Sequence, residues 1–282
     1  MSLTWFNNIL LPDLVKPAQG KWVAITVGNE AGSWSFSEEW KEHAATDQQR
    51  TWDMTAAERL VRFFDETRTT ADSIRDLIVL DAGSGNGQLS RAIAETGAKV
   101  VGIDRQPHLP AGTDNVQFVQ GDFDHPPFLP ASFDIIIANG SIHHTKNTLR
   151  SFRSLADLVK PGGRLYVFVY KKQKGWRSFM LWWLDLFRFF ISRSGPRIQR
   201  VCVAIITQFF FTLSRIRKGG NSKRSKEEIR INIYDAFTPR YRHYHEPGQV
   251  REWFLDNGFN EPVITLANDA YGFGMLGVKI SR

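Results

Sequence analysis

A short apolar run that leads into three alternating glycines constrains the fold of this chain more than any other feature. The run is Leu-Ile-Val-Leu at residues 77–80, and the glycines are Gly83, Gly85 and Gly87. Glycine has no Cβ, so it allows a tight turn and lets the backbone come close to a ligand. A strand that ends in such a turn and continues as a helix is typical of nucleotide-binding α/β folds.

The spacing of these glycines disfavours one common ligand of such turns. The dinucleotide motif is G-x-G-x-x-G, and its third glycine would fall at position 88, where this chain has Gln88. The pattern therefore favours another nucleotide-type ligand over NAD. A plain tight turn is the alternative, but it would not require glycine at all three positions.

Residues 77–170 alternate strand patterns with helix patterns, which predicts a mostly parallel sheet covered on both faces. Helices are predicted at 88–96 and 148–158, the second ending at a turn over 160–163, Lys-Pro-Gly-Gly. The predicted strands are residues 77–80, 99–103, 116–119, 133–138 and 164–169.

Two acidic residues follow neighbouring predicted strands. Asp104 comes directly after the strand at 99–103, where a carboxylate can bind the two hydroxyls of a ribose. Asp122 and Phe123 follow the strand at 116–119, where they could contact an adenine amine and ring face. The alternatives are a solvated acidic residue at Asp104 and an ordinary turn at 121–123.

Several motifs, taken in chain order, resemble those of the class I S-adenosylmethionine-dependent methyltransferases. They are residues 81–87, Asp104, 121–123, 138–144 and 158–163. The resemblance is closest to the quinone and small-molecule branch and covers 77–170 well and 247–282 loosely. It implies a Rossmann-like α/β fold with a seven-stranded, mostly parallel sheet and an antiparallel C-terminal hairpin.

The resemblance also implies S-adenosyl-L-methionine as the cofactor and assigns residues to it. The three glycines would hold its methionine part, Asp104 its ribose, and Asp122 with Phe123 its adenine. The complete expected cofactor set is Asp81, Gly83, Ser84, Gly85, Gly87, Asp104, Arg105, Asp122, Phe123 and Asn139. No metal site is expected.

Two adjacent histidines are the candidate catalytic residues. His143 and His144 follow the strand at 133–138, at its ligand-facing end, and a histidine near neutral pH can accept a proton from a hydroxyl or an enol. His144 is favoured because the second histidine is the more usual one in the family pattern. The alternative is that one of them only holds a loop in place.

A dense group of aromatic and titratable residues lies at 234–245. In some enzymes of this family the corresponding segment returns over the active site, so this group is predicted to contact the substrate. Its candidates are Tyr234, Arg240, Tyr241, His243 and His245. The alternative is that these aromatics pack beneath a surface loop.

Four segments are predicted along the chain. Residues 1–70 form an N-terminal helical cap and 71–173 the cofactor-binding core. Residues 174–246 form an apolar and basic helical insertion that acts as a lid, and 247–282 complete the core with a helix and an antiparallel hairpin. No signal peptide is recognised, and a cytoplasmic protein is expected.

The insertion is too apolar for ordinary surface helices and too short in its uncharged runs for a membrane span. Its longest uncharged stretch lies between Arg200 and Arg215, whereas a span needs about 20 residues. This composition is typical of helices that lie in a membrane interface or line a pocket for a long apolar substrate. The alternative is packing of these helices together or across a dimer interface.

The net charge of +7 is concentrated in the same region. Residues 171–226 hold fourteen lysines and arginines against Asp185 alone, so the rest of the chain is net acidic. A local partner such as anionic lipid headgroups fits this asymmetry better than nucleic acid does. The single cysteine, Cys202, excludes an internal disulfide and a cysteine-cluster zinc site.

The sequence thus predicts a methyltransferase for a hydrophobic or lipid-linked small molecule, acting at an oxygen or an activated carbon, with a peripheral membrane contact left open. One alternative is a soluble natural product or sugar as acceptor, with the insertion used to form a homo-oligomer. RNA methylation is a second alternative, and a cofactor-binding scaffold without activity is a third. RNA is disfavoured because 139–142, Asn-Gly-Ser-Ile, lacks the motif usual for base-amine methylation.

Overall fold

The computed structural model describes residues 3–25, 50–51, 54–217, 225–268 and 271–281. The chain divides into two compact units. The first comprises Met1–Asn29, Ala56–Lys172 and Tyr241–Arg282, and the second comprises Glu30–Thr55 and Gln173–Arg240.

A nine-stranded sheet forms the centre of the first unit. Its strands in chain order are β1 (Val15–Ala18), β2 (Lys21–Ala24), β3 (Ile78–Ala82), β4 (Lys99–Asp104), β5 (Val116–Gln120), β6 (Phe133–Asn139), β7 (Val159–Tyr170), β8 (Val263–Asn268) and β9 (Gly272–Val278). They are arranged in the order β1-β2-β5-β4-β3-β6-β7-β9-β8. Strands β2 to β7 run parallel, whereas β1 pairs antiparallel with β2, and β9 pairs antiparallel with both β7 and β8. The predicted Rossmann-like sheet and its antiparallel C-terminal hairpin are confirmed.

The prediction of seven strands was wrong in number, because an N-terminal hairpin adds β1 and β2 to the edge of β5. Its turn is Gln19-Gly20, and both residues have positive φ angles of 49° and 76°. Such a turn matches the twist of two antiparallel strands, but glutamine is not a residue that signals it. Within the helical cap predicted for residues 1–70, the described residues include helices at Thr4–Asn7 and Ala56–Thr67 as well as β1 and β2, whereas residues 26–49 and 52–53 lie outside the described residues.

The turn predicted at 160–163 is instead part of β7, which begins at Val159 directly after a helix. The pairing of β6 with β7 shifts in register here, from Phe133↔Val159 to Ile135↔Arg164. Gly162 has a φ of +76° within this irregularity. Proline and glycine thus mark a bulge within β7 rather than a turn before it. The reason is that β7 pairs with β6 both before and after the irregularity.

Helices cover both faces of the sheet. The helices of the first unit are α1 (Thr4–Asn7), α2 (Ala56–Thr67), α3 (Ala71–Ile74), α4 (Gln88–Glu95), α5 (Thr148–Leu158) and, near the C-terminus, Pro247–Asp256. Phe63 of α2 and Ile93 of α4 are buried against one face of the sheet, and Phe152 of α5 and Phe254 are buried against the other. Successive residues of a strand point to opposite faces of the sheet. Because helices cover both faces, β3 to β7 carry apolar residues on both sides.

The second unit is helical in its larger segment. It contains α6 (Trp176–Arg193), α7 (Pro196–Arg217) and α8 (Lys226–Phe237), so the helix at Pro247–Asp256 is α9. Val203 of α7 packs with Ile229 and Ile233 of α8 in a small core. Among the described residues, none of the helices combines the length and the hydropathy that a transmembrane span requires.

Candidate functional site

The turn after β3 is held in a conformation that only glycine adopts readily. Gly83, Gly85 and Gly87 have φ angles of +96°, +54° and +75°. A Cβ on Gly83 would overlap the side chain of Ser141, and one on Gly87 would lie 2.6 Å from the ring of Phe118. The N–H of Gly83 donates to the carbonyl oxygen of Ile103 at 2.8 Å, which fixes the turn against β4. Both the backbone angles and the close neighbours therefore require glycine.

Two polar side chains flank this turn in different ways. Asp81 accepts a hydrogen bond from the hydroxyl of Ser90 at 2.6 Å, which ties β3 to α4. Burial raises the pKa of Asp81. Ser84 is also buried, and its hydroxyl makes no hydrogen bond within the part of the chain that the structure describes. Asp81 thus supports the turn, whereas Ser84 leaves a polar group available to a ligand.

Asp104 lies at the end of β4, beside the glycine turn. Its carboxylate accepts from the N–H of Gly85 and from the N–H of Gln106, each at 3.0 Å. Burial raises the pKa of Asp104, and these two donors oppose that shift. The Gln106 side chain donates to the carbonyl oxygen of Gly85 at 2.7 Å. Sequence reasoning missed Gln106, although an amide two residues after Asp104 could have suggested a contact with the turn.

The predicted adenine-contacting residues lie after β5. Asp122 forms an ion pair with Arg105 at 3.5 Å and accepts from the N–H of Asp124 at 3.0 Å. The buried ring of Phe123 lies 3.7 Å from the position of a Cβ on Gly83. The structure therefore brings the turn after β5 into contact with the turn after β3.

Asn139 is the last residue of β6 and belongs to a hydrogen-bond network that sequence reasoning missed. Its amide donates to Glu66 of α2 at 3.5 Å, and Glu66 accepts from Arg62 at 2.6 Å. Burial raises the pKa of Glu66, and the Arg62 guanidinium opposes that shift. Burial also raises the pKa of Tyr166 on β7. This network anchors α2 to the carboxyl end of β6, and the amphipathic pattern of α2 gave no signal for it.

The two histidines after β6 occupy different environments. His143 is fully buried, whereas His144 is half-buried. The Nδ1 of His144 lies 3.0 Å from the carbonyl oxygen of Tyr241. A carbonyl oxygen only accepts, so Nδ1 carries the proton in this hydrogen bond and the basic lone pair of the neutral ring is at Nε2.

His143 is packed in an aromatic cluster. Its ring centroid lies 4.1 Å from that of Tyr170 and 4.3 Å from that of His144. Burial lowers the pKa of His143 well below its usual value, and the nearby charges of His144, His245 and Arg242 act in the same direction. The ring is therefore neutral near pH 7 and supports His144 by packing.

Three of the predicted substrate residues lie beside these histidines in the first unit. The N–H of His243 donates to the carbonyl oxygen of His143 at 3.0 Å, and the N–H of His245 donates to that of Tyr170 at 2.8 Å. Tyr241 accepts from His144, as described above. Segment 241–245 is thus attached to the carboxyl ends of β6 and β7.

The other two substrate candidates belong to the second unit. Tyr234 is buried in the core of that unit with Val203 and Ile229, and its contact with a substrate stays a prediction. Arg240 is exposed.

Sequence reasoning missed Tyr170 and Arg242 at this site. The Arg242 guanidinium lies 5.0 Å from the ring centroid of Tyr170 and 5.2 Å from that of Tyr244. Tyr170 is the residue after the predicted strand at 164–169, so a strand one residue longer would have placed it at the site. Arg242 stands within the segment 234–245 that was singled out for its density of such groups.

The residues at the glycine turn fit an adenosyl-type cofactor. Three backbone positions without side chains form a cradle, the Ser84 hydroxyl is available, and Asp104 is a carboxylate at the end of the next strand. Phe123 lies beside the same turn. These groups match the polar and aromatic parts of a nucleoside attached to an amino acid.

Comparisons with known proteins agree with this geometry. The family model described as a methyltransferase domain matches residues 80–167. Two ubiquinone biosynthesis O-methyltransferases are similar over 98 residues. The one from Aliivibrio fischeri (strain MJ11) is 34% identical over 31% of this chain and 42% of its own length. The one from Xanthomonas campestris pv. campestris (strain B100) is 36% identical over 32% of this chain and 41% of its own length. The chain therefore spans less than half the length of these curated relatives.

Among solved structures, magnesium protoporphyrin IX methyltransferase from Synechocystis PCC 6803 superimposes with a TM-score of 0.46 and 17% identity, over 88% of this chain and 97% of that one. The family match, by contrast, covers β3 to β7, the strands whose carboxyl ends carry the glycine turn, Asp104 and the two histidines. Residues 80–167 therefore match a methyltransferase domain, which agrees with the resemblance that the motifs carry.

Proposed function

We propose that this chain transfers the methyl group of S-adenosyl-L-methionine to an oxygen or an activated carbon of a hydrophobic or lipid-linked small molecule. The observation that carries the proposal is the positive-φ glycine turn, which Asp104 and Gln106 hold at Gly85. The half-buried His144 belongs to the loop after β6, the strand beside β3. The cofactor cradle and a candidate base thus belong to adjacent strands.

The chain's own residues bind and orient the cofactor in this proposal. S-adenosyl-L-methionine supplies an electrophilic methyl group on a sulfonium. The glycine turn and Ser84 hold the methionine part, Asp104 the ribose hydroxyls, and Asp122 with Phe123 the adenine. Fixing the cofactor in this way lowers the barrier mainly by positioning, because an acceptor must attack directly behind the methyl group.

His144 acts as the general base. Its hydrogen bond to the Tyr241 carbonyl orients the ring and puts the basic lone pair at Nε2, the atom that would take a proton from an acceptor hydroxyl or enol. His143 holds that ring by packing. Tyr241 and His243, which stack with nearly parallel rings, offer aromatic surface to a flat, hydrophobic acceptor.

A hydrophobic acceptor is also supported by the relatives that are named for ubiquinone biosynthesis. An acceptor linked to lipid would require the enzyme to work as a peripheral protein at a membrane surface.

The test uses methyl-labelled S-adenosyl-L-methionine, the purified protein and a whole-cell extract that is afterwards separated into lipid, nucleic-acid and water-soluble fractions. We expect label in the lipid fraction. Label in RNA or in water-soluble products would refute the lipid-linked acceptor while keeping methyl transfer. Failure to label any fraction, despite measured cofactor binding, would refute methyl transfer and favour a scaffold.

The role of His144 is tested in the same assay with His144→Gln. We expect cofactor affinity to stay the same and the rate to fall by about 100-fold or more, because general-base catalysis contributes that much. The control is His125→Gln, which changes an exposed histidine outside the site. Equal rates for the two variants would show that His144 is not the base.

A further inference from the structure

The outer surfaces of α6 and α7 are apolar and exposed, and we infer that they dock the chain on an anionic membrane surface. This outer apolar face includes Leu186, Phe187 and Phe190 on α6, and Val201, Ile205 and Phe209 on α7, all of them exposed. The inference deepens the proposed function, because it names the surface at which a lipid-linked acceptor would be met.

The orientation of polar and apolar side chains on α6 is the reverse of that expected for a helix on the surface of a water-soluble protein. Its less exposed side carries the ion pair of Arg188 with Asp185, at 3.1 Å, and the Arg188 side chain is only 11% exposed. Arg188 also donates to the carbonyl oxygen of Pro239 at 2.6 Å. Phe187, in contrast, is 63% exposed. Water would favour the opposite orientation, since burying charge costs free energy and burying phenylalanine releases it.

Helix α7 buries Val203 on its inner side, but it also buries polar side chains there and exposes apolar ones on its outer side. Gln199 and Thr207 are each 1% exposed, whereas Ile205 is 65% exposed. Within the described chain, Oε1 of Gln199 and Oγ1 of Thr207 have no hydrogen-bond partner. A fold that buries such groups and exposes a row of large apolar side chains is explained if an apolar medium covers the outer face.

Arginines lie at the ends of both helices, beside the apolar face. Arg193 at the end of α6 lies with its guanidinium 3.8 Å from the ring centroid of Phe189, and Arg215 near the end of α7 lies 5.0 Å from that of Phe211. Arg197 and Arg200 are exposed in the first turns of α7. Long cationic side chains at such places reach the headgroups while their neighbours insert among the acyl chains.

The charge around the outer apolar face indicates which partner binds it. Residues 174–217 contain eight lysines and arginines against Asp185 alone. A second copy of the chain would place two cationic surfaces together, so self-association is disfavoured. Nucleic acid would neutralise the positive charge, but it would not bury the exposed leucines, isoleucines and valines. An anionic bilayer both neutralises the charge and buries the apolar side chains. At 1.5 Å per residue, α6 and α7 are about 27 and 33 Å long, and helices of this length can lie flat in its interface.

The test is flotation of the full chain with phosphatidylcholine vesicles that contain or lack phosphatidylglycerol, without any methyl acceptor. We expect strong binding only to the anionic vesicles. The triple variant Arg193→Gln, Arg197→Gln, Arg200→Gln should bind them on the order of 100-fold more weakly. The triple variant Phe187→Ser, Phe190→Ser, Phe209→Ser should lose at least about tenfold.

Matched controls change exposed residues of the first unit. They are Lys16→Gln with Lys146→Gln and Arg153→Gln, and Ile25→Ser with Val61→Ser and Ile280→Ser. Both controls should bind vesicles as the unchanged protein does. Equal losses in variants and controls, no vesicle binding, or a dimer in sedimentation that the phenylalanine variant abolishes would each overturn the inference. Because no acceptor is present, such a failure is distinct from a failure of methyl transfer.

Discussion

The glycine turn after β3 depends on single residues that lack a side chain. Gly83 has a φ of +96°, and a Cβ there would overlap the side chain of Ser141. We therefore expect Gly83→Ala to lower the free energy of unfolding by about 2 kcal/mol, from backbone strain and crowding, and to weaken S-adenosylmethionine binding at least about tenfold. Urea unfolding and calorimetric titration measure the two effects.

Gly248→Ala is the control for this substitution. Gly248 lies in the first turn of α9, where a Cβ would meet nothing within 4 Å and φ is not positive. Alanine should leave cofactor binding unchanged there. If Gly83→Ala behaved like Gly248→Ala in both measurements, the turn would not need glycine at position 83.

Because His143 is buried, we expect the free energy of unfolding to depend on pH. Burial holds its pKa well below the usual value, so below about pH 6.5 the unfolded chain binds a proton that the folded chain does not. The contribution of His143 is thus fully present above pH 6.5 and is lost as the pH falls toward the folded-state pKa, by about 1.4 kcal/mol per pH unit.

The measurement is urea unfolding of the unchanged protein and of His143→Asn between pH 8 and pH 5. We expect the free energy of unfolding of the unchanged protein to fall more steeply with acid than that of the variant. His245, whose pKa burial also lowers, is present in both and cancels in the comparison. Parallel curves would mean that the folded chain protonates His143 as readily as the unfolded chain does.

Among the elements, the N-terminal hairpin pairs with the rest of the sheet over a short length. Strand β2 pairs with β5 only at Trp22↔Val119 and Val23↔Gln120. Strand β3, by comparison, pairs with β4 at five positions and with β6 at three. We expect the amides of β1 and β2 to exchange with solvent at least about tenfold faster than those of β3 and β4.

Native-state hydrogen exchange followed by mass spectrometry measures this difference. The parallel strands are the internal reference, because they belong to the most deeply buried part of the sheet. Uniform protection across β1 to β5 would show that the hairpin opens only with the whole sheet. Its attachment would then rest on Phe6 and Trp22, whose rings lie 5.4 Å apart.

At the scale of the whole molecule, the chain divides into two units that differ in composition. The first unit contains the sheet and the family match, and the second contains α6 to α8 with a core of their own. The insertion was predicted to continue to residue 246, whereas Tyr241 and the residues after it belong to the first unit. The role of the insertion as a lid stays a prediction.

The sequence alone determined the sheet type, the glycine turn and the resemblance to a methyltransferase domain, because these depend on local patterns. Apolar runs identify buried parallel strands, and three alternating glycines identify a backbone that must approach a ligand. The C-terminal hairpin was predicted for the same reason, and β8 and β9 confirm it.

Only the tertiary structure decided which residues meet across long sequence separations. Glu66 contacts Asn139, and Gln106 contacts Gly85, through hydrogen bonds that no local pattern signals. The same holds for the burial of His143 and for the placement of Tyr234 in the second unit. Local periodicity specifies which face of an element is apolar, but the partners of a polar side chain depend on how distant elements pack together.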